Sequence, residues 1–114
     1  MIAVIFEVTP AKGQHDTYLD HAAQLRPLLA QVPGFISVER FQSLTDPSKL
    51  LSLSFFTDED AVKQWRNTIE HRSSQAAGRD GVFSDYRIRI SEVSRDYGLH
   101  DRAQAPTDSK EIHE

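Results

Sequence analysis

Leu50 to Val93 reads LLSLSFFTDEDAVKQWRNTIEHRSSQAAGRDGVFSDYRIRISEV, and the fold is argued from this stretch. Leu50 to Phe56 is a short apolar and aromatic run, the composition of a strand. Thr57 is placed to cap a helix, with Asp60 three residues on to complete a capping box. Asp58, Glu59 and Asp60 suit the positive end of that helix's dipole. The helix is expected to run to about Ala77. Its inward stripe is Ala61 or Val62, Trp65, Ile69 and Arg72, and Gln64, Asn67, His71 and Gln75 form a polar stripe beside it. Gly78 and Gly81 break the helix, and Val82-Phe83 plugs one end of a core. Asp85 to Val93 is then a strand, with Tyr86, Ile88 and Ile90 on one face and Arg87 and Arg89 on the other.

Upstream, Ile2 to Val8 is a strand, apolar on both faces until Glu7. Thr9 to Gly13 is a turn. A helix follows from about Gln14 to Val32, with Tyr18, Ala22, Leu25, Leu29 and Val32 as its buried stripe. Pro27 lies inside that pattern and predicts a kink, or two helical pieces, near Arg26. Pro33-Gly34 ends the helix. Phe35 to Leu44 alternates, with Phe35, Ser37, Glu39 and Phe41 on one face and Ile36, Val38, Arg40 and Gln42 on the other. Asp46-Pro47-Ser48 makes a hairpin turn into Leu50 to Phe56.

The order is β-α-β-β-α-β, an α+β ferredoxin-like arrangement in which two helices cover one face of a four-stranded antiparallel sheet. Nothing remains in the chain to cover the other face, which also carries apolar residues. Sheet-against-sheet homodimerisation is the expected solution. Residues 1–98 form this one domain, and 99–114 are a polar tail, expected to be disordered or ordered only by a partner.

Composition narrows the function. The chain is 39% hydrophobic and 26% charged, the balance of a globular domain. A net charge of −4 argues against nucleic acid or an anionic membrane as partner. Cysteine is absent, which removes disulfides, thiol nucleophiles and Cys-type zinc sites. The apolar run Ile2 to Phe6 is too short for a signal peptide or membrane span, so a cytoplasmic location is expected. The histidines show no metal-ligand spacing, and phosphate loops, dinucleotide fingerprints and nucleophile elbows are missing.

Three segments carry a resemblance to a known family. They are the opening strand IAVIFEV, the segment LRPLLAQVPGFISVERFQSL, and the run DAVKQWRNTIEHRSSQAAGRDGVFSDYRIRISEVSRDYG. Together, over about residues 1–98, they resemble the antibiotic biosynthesis monooxygenase (ABM) family within the dimeric α/β-barrel superfamily. The resemblance implies a homodimeric ferredoxin-like barrel with a pocket between helices and sheet in each subunit. It implies oxidation of polycyclic phenols or quinol-like compounds by O2 with no metal or flavin cofactor, or, in another branch, opening of the haem ring. That branch uses an Asn on the first strand, a Trp on the second helix and a His ten residues after the Trp. Trp65 matches, but Gln75 stands where the His belongs, and the Asn position falls on Phe6 or Glu7. Haem degradation is therefore not the expected activity.

For the oxygenase reading, cofactor-free chemistry needs a base, a substrate that forms a stabilised anion, and a dry pocket. His71 is the base candidate, because its ordinary pKa lies near neutrality. By ideal geometry it sits about 240° round the helix from Trp65, on the flank of the buried stripe. Tyr86 is the second catalytic candidate, with a hydroxyl that orients a substrate oxygen. Trp65, Phe6 and Phe83 are the candidate substrate-binding residues. The bland alternatives stand beside these readings: Trp65 as core filler, His71 in a surface polar network, Tyr86 as the wet rim of the core, and Arg87 and Arg89 paired with Glu7, Glu39 or Glu92. Two other functions remain open. One is a ligand-binding or stress-response barrel without turnover, and the other is a haem-binding protein without full degrading activity.

Overall fold

The structure is a computed structural model that describes residues 1–69 and 81–108. Six elements follow the expected order. They are β1 (Ile2–Pro10), α1 (His15–Ala30), β2 (Phe35–Gln42), β3 (Leu50–Phe56), α2 (Glu59–Ile69) and β4 (Phe83–Glu92). The strands form one antiparallel sheet in the order β2-β3-β1-β4. With two helices on one side, this is the α+β ferredoxin-like fold.

Cross-strand register assigns the faces, because residues directly opposite one another point the same way. Ile2, Val4, Phe6 and Val8 of β1 stand opposite Phe56, Ser54, Ser52 and Leu50 of β3. They also stand opposite Glu92, Ile90, Ile88 and Tyr86 of β4. This is the face the helices cover. Ile2, Val4 and Phe56 pack with Leu29 of α1 and Ala61 and Val62 of α2, and Phe35, Val38 and Trp65 close around them. At the other end of the sheet, Val8 and Leu50 pack with Tyr18 and Val82. Val82 thus plugs the core end, as its place after the glycine suggests.

The reverse face is built from Ala3, Ile5 and Glu7 of β1, Leu51, Leu53 and Phe55 of β3, and Arg87 and Arg89 of β4. Ala3 is buried, while Ile5, Leu51, Leu53 and Phe55 are half-buried. Glu7 accepts Lys49 at 3.3 Å and Arg89 at 3.5 Å, so one of its anticipated arginine partners is in place.

Three local expectations are corrected. Pro27 lies within an uninterrupted α1 rather than between two helical pieces. The cap of α2 is Asp58, not Thr57: the Asp58 carboxylate accepts the Ala61 N–H at 2.9 Å, the N-cap to N3 bond. Thr57 instead donates its backbone N–H to the Gly34 carbonyl at 2.8 Å. The register of β2 also shifts between Phe35 and Ser37, a bulge that puts Phe35 opposite Phe56 and Ser37 opposite Phe55. Phe35 therefore shares the helix-covered face with Val38 instead of the reverse face with Ser37 and Phe41.

Beyond β4 the chain turns back. Val93 donates to the Met1 carbonyl at 2.9 Å, Gly98 to Asp101 at 2.7 Å and Ala105 to Arg102 at 3.1 Å. The Arg102 guanidinium lies 5.3 Å from the Tyr97 ring centroid, and Ala105 is buried. Residues 109–114 lie outside the described residues.

Candidate functional site

The β1–α1 connection meets Val82, just ahead of β4, at one end of the sheet. Ala11 donates its N–H to the Val82 carbonyl at 2.7 Å, and Gln14 donates to Ala11 at 2.8 Å. Gly13, at φ +79°, lets the chain reverse into α1. The register of β1 against β4 shifts between Thr9 and Pro10, so Pro10 stands opposite Phe83. Strict alternation from Tyr86 would turn Phe83 to the reverse face. The bulge turns it back to the helix side, where it packs against the core of Val8, Tyr18, Leu50 and Val82.

An aromatic cluster results. Phe83 meets Phe6 edge-on at 6.1 Å, Tyr18 at 5.8 Å and Tyr86 at 6.1 Å, and Phe6 lies 5.7 Å from Tyr86. These separations and tilts are the favourable edge-to-face range. Phe6 and Phe83 are half-buried, whereas Tyr86 is 60% exposed. The apolar surface continues along β4 through Ile88 and Ile90, 53% and 45% exposed, on the same face. The arrangement offers rings for a flat apolar ligand and, at its edge, one phenolic hydroxyl able to donate or accept a hydrogen bond.

Of the five sequence candidates, the structure gathers three: Phe6, Phe83 and Tyr86. Trp65 is half-buried in the other cluster, with Ile2, Val4 and Phe56. His71 lies outside the described residues, as do Arg72, Gln75 and Gly78. Tyr18 joins the aromatic cluster without having been singled out, because its place in the buried stripe of α1 reads as core and nothing in the sequence says which end of the sheet it meets.

Two carboxyl groups are shifted, both away from this cluster. Hydrogen bonding and charge attraction from Lys49, then charge attraction from Arg89, hold the Glu7 carboxyl below its ordinary range. Hydrogen bonds from the Ser48 hydroxyl and backbone do the same for Asp46 in the β2–β3 turn. Among the described residues no group of three or more His, Asp or Glu gathers to hold a metal ion. No described helix is long and apolar enough to cross a membrane.

The antibiotic biosynthesis monooxygenase family model matches residues 1–77. The chain belongs to this family. An ABM relative, a jasmonate monooxygenase from Pyricularia oryzae, is 49% identical over 94 residues, covering 82% of this chain and 44% of its own. The chain thus spans under half the length of that fungal protein. YqjZ, an uncharacterized protein from Bacillus subtilis, is 31% identical over 94 residues, covering 82% of this chain and 79% of its own. The ABM fold recurs in solved structures. A candidate antibiotic biosynthesis monooxygenase from Deinococcus radiodurans superposes with a TM-score of 0.75 at 11% identity, covering 86% of this chain and 97% of that one. Rv0793 from Mycobacterium tuberculosis superposes at 0.74, also with 11% identity, covering 85% and 98%.

Proposed function

We propose that this ABM chain is a monooxygenase acting with O2 on a small aromatic or quinol-like compound, without metal or flavin, as a homodimer paired through the reverse face of its sheet. The observation that carries the reading is the 49% identity over 94 residues to a monooxygenase of the same family. The aromatic cluster supports the substrate class, since flat rings favour offset or edge contacts with Phe6, Phe83 and Tyr86. Trp65 shapes the wall toward the other end of the core.

The Tyr86 hydroxyl orients a substrate oxygen, and His71 takes the proton whose loss makes the substrate an electron donor to O2. For a methylene activated by a phenolic ring, the two C–H bonds break and a C=O bond forms. One oxygen atom enters the product and the other leaves as water. The substrate supplies all four electrons, so this reaction needs no further reductant. Hydroxylation of an aliphatic carbon draws only two electrons from the substrate and requires a two-electron donor as well. Jasmonate therefore joins the panel, with and without a reduced nicotinamide, because a relative is named for acting on it.

The test is O2 uptake with anthrone, a hydroquinone and jasmonate. One of them is expected to consume O2 in proportion to product, and His71→Ala to lower turnover at least about tenfold with the oligomer intact. Unchanged turnover removes His71 from the mechanism. No O2 uptake with any of them, alongside quenching of Trp65 fluorescence by the same compounds, points instead to a ligand-binding barrel without turnover. A Soret shift on adding haem points to a haem-binding protein.

A further inference from the structure

The reverse face of the sheet has a charge order of its own, and register lays it out in rows. Glu39 of β2, Leu53 of β3, Ile5 of β1 and Arg89 of β4 stand side by side in one row. Phe41, Leu51, Glu7 and Arg87 form the row on one side of it, and Ser37, Phe55, Ala3 and Ser91 the row on the other. Within these rows the β2 rim is acidic, the β4 rim is basic, and the two central strands are apolar except at Glu7.

Glu39 is exposed, and its neighbours on this face, Ser37, Phe41 and Leu53, are uncharged. It enters no ion pair among the described residues. Arg89 of the same row is three strand spacings away, about 14 Å, so the two cannot meet within one chain. A second copy laid on this face brings them together or keeps them apart, according to its orientation. The apolar residues lie on β3 and β1, so the contact centres on the line between those strands. Two copies packed face to face with aligned strands are related by a two-fold axis that runs either along the strands or across them. An axis across the strands lays β2 on β2 and β4 on β4, which sets Glu39 against Glu39 and Arg89 against Arg89. An axis along the strands lays β2 of each copy over β4 of the other, which sets Glu39 against the partner's Arg89 at both rims. Leu53 then faces the partner's Ile5, and the large Phe55 faces the partner's small Ala3. Facing like charges disfavour the first arrangement, and facing opposite charges favour the second.

We propose that the axis of the dimer runs along the strands, so that the acidic β2 rim of each copy closes over the basic β4 rim of the other and Glu39 pairs with the partner's Arg89. The inference rests on the pairing through the reverse face proposed above and adds its orientation. Arg89 already meets Glu7 at 3.5 Å, and Glu7 meets Lys49 at 3.3 Å. Glu39 from the partner therefore extends a chain of alternating charges instead of burying a lone one. One row along, Phe41 comes to lie against the partner's Arg87, a ring beneath a guanidinium.

The chain has no cysteine, so introduced ones report position directly. Full chains carrying Glu39→Cys are mixed with full chains carrying Arg89→Cys, left to exchange subunits, and treated with a short bis-maleimide. Both positions are exposed, so both variants are expected to fold. The mixed pair is expected to cross-link, and neither variant to link to itself. Glu39→Lys, which faces a lysine with the partner's arginine, is expected to weaken the dimer about tenfold or more in sedimentation. A monomeric parent removes the pairing and its orientation together. With a dimeric parent, Glu39→Cys linking to itself, a mixed pair that stays unlinked, or Glu39→Lys dimerising as tightly as the parent leaves the pairing in place and overturns the orientation.

Discussion

Gly34 shows how one residue seats a helix. Its φ of +89° is a conformation that costs an L side chain about 1–2 kcal/mol. A Cβ there would lie 2.5 Å from Thr57 Oγ1 and 2.9 Å from Ala61 Cβ, so the turn into β2 and the start of α2 approach each other through the missing side chain. Gly34→Ala is expected to lower the unfolding free energy by roughly 2–4 kcal/mol, strain and overpacking combined, read from urea midpoints. Glu7 governs a second residue-scale effect. Its folded pKa lies below the ordinary 4.5 because Lys49 and Arg89 favour the carboxylate. The stability this contributes is present above the unfolded pKa and is lost as pH falls through the folded value. Glu7→Gln is therefore expected to be less stable than the parent at neutral pH, with the gap closing as pH falls through the lowered folded pKa of Glu7. A gap that stays constant with pH would show that Glu7 acts by packing alone.

At the scale of elements, the start of α2 turns on which of two adjacent residues caps it. Asp58 accepts the Ala61 N–H, and the first helical bond, Val62 N–H to Asp58 O, spans 3.4 Å. Asp58→Ala is expected to cost about 1 kcal/mol, and Thr57→Ala less than half as much, in parallel denaturation curves. The order of the two losses is the check, since a cap at Thr57 would reverse it. Sequence pattern located the helix but misplaced its cap by one residue, because Thr57 and Asp58 are both good capping residues. Only the hydrogen bond from Thr57 to Gly34 takes Thr57 out of that role. The two bulges are similar cases. Period-two alternation places Tyr86, Ile88 and Ile90 correctly along β4, yet it misassigns Phe35 and would misplace Phe83. An inserted residue leaves no mark in the hydrophobic pattern, so the aromatic cluster around Phe83 was legible only in part.

At the scale of the molecule, the helices cover one face of the sheet, and Ile5, Leu51, Leu53 and Phe55 remain half-buried on the other, with Phe41 43% exposed at the β2 edge. A second copy pairing face to face would bury these residues, with Glu7, Lys49 and Arg89 as a charged group among them. Sedimentation is expected to give a dimer of this 12.9 kDa chain at micromolar concentration. Leu53→Asp, with its circular dichroism unchanged, is expected to shift the particle to the monomer, because an unpaired carboxylate at the centre of an apolar contact is costly to desolvate. A monomeric parent protein would remove the pairing.

The sequence by itself determined the element order, the antiparallel sheet, the plug at Val82 and the faces of Tyr86 to Ile90 along β4, because hydrophobic period and turn chemistry are local properties of the chain. Only the tertiary structure decided that Phe6, Phe83, Tyr86 and Tyr18 form one cluster while Trp65 belongs to another. Those groupings depend on strand register and bulges, which arise where distant segments pair and which no local period encodes.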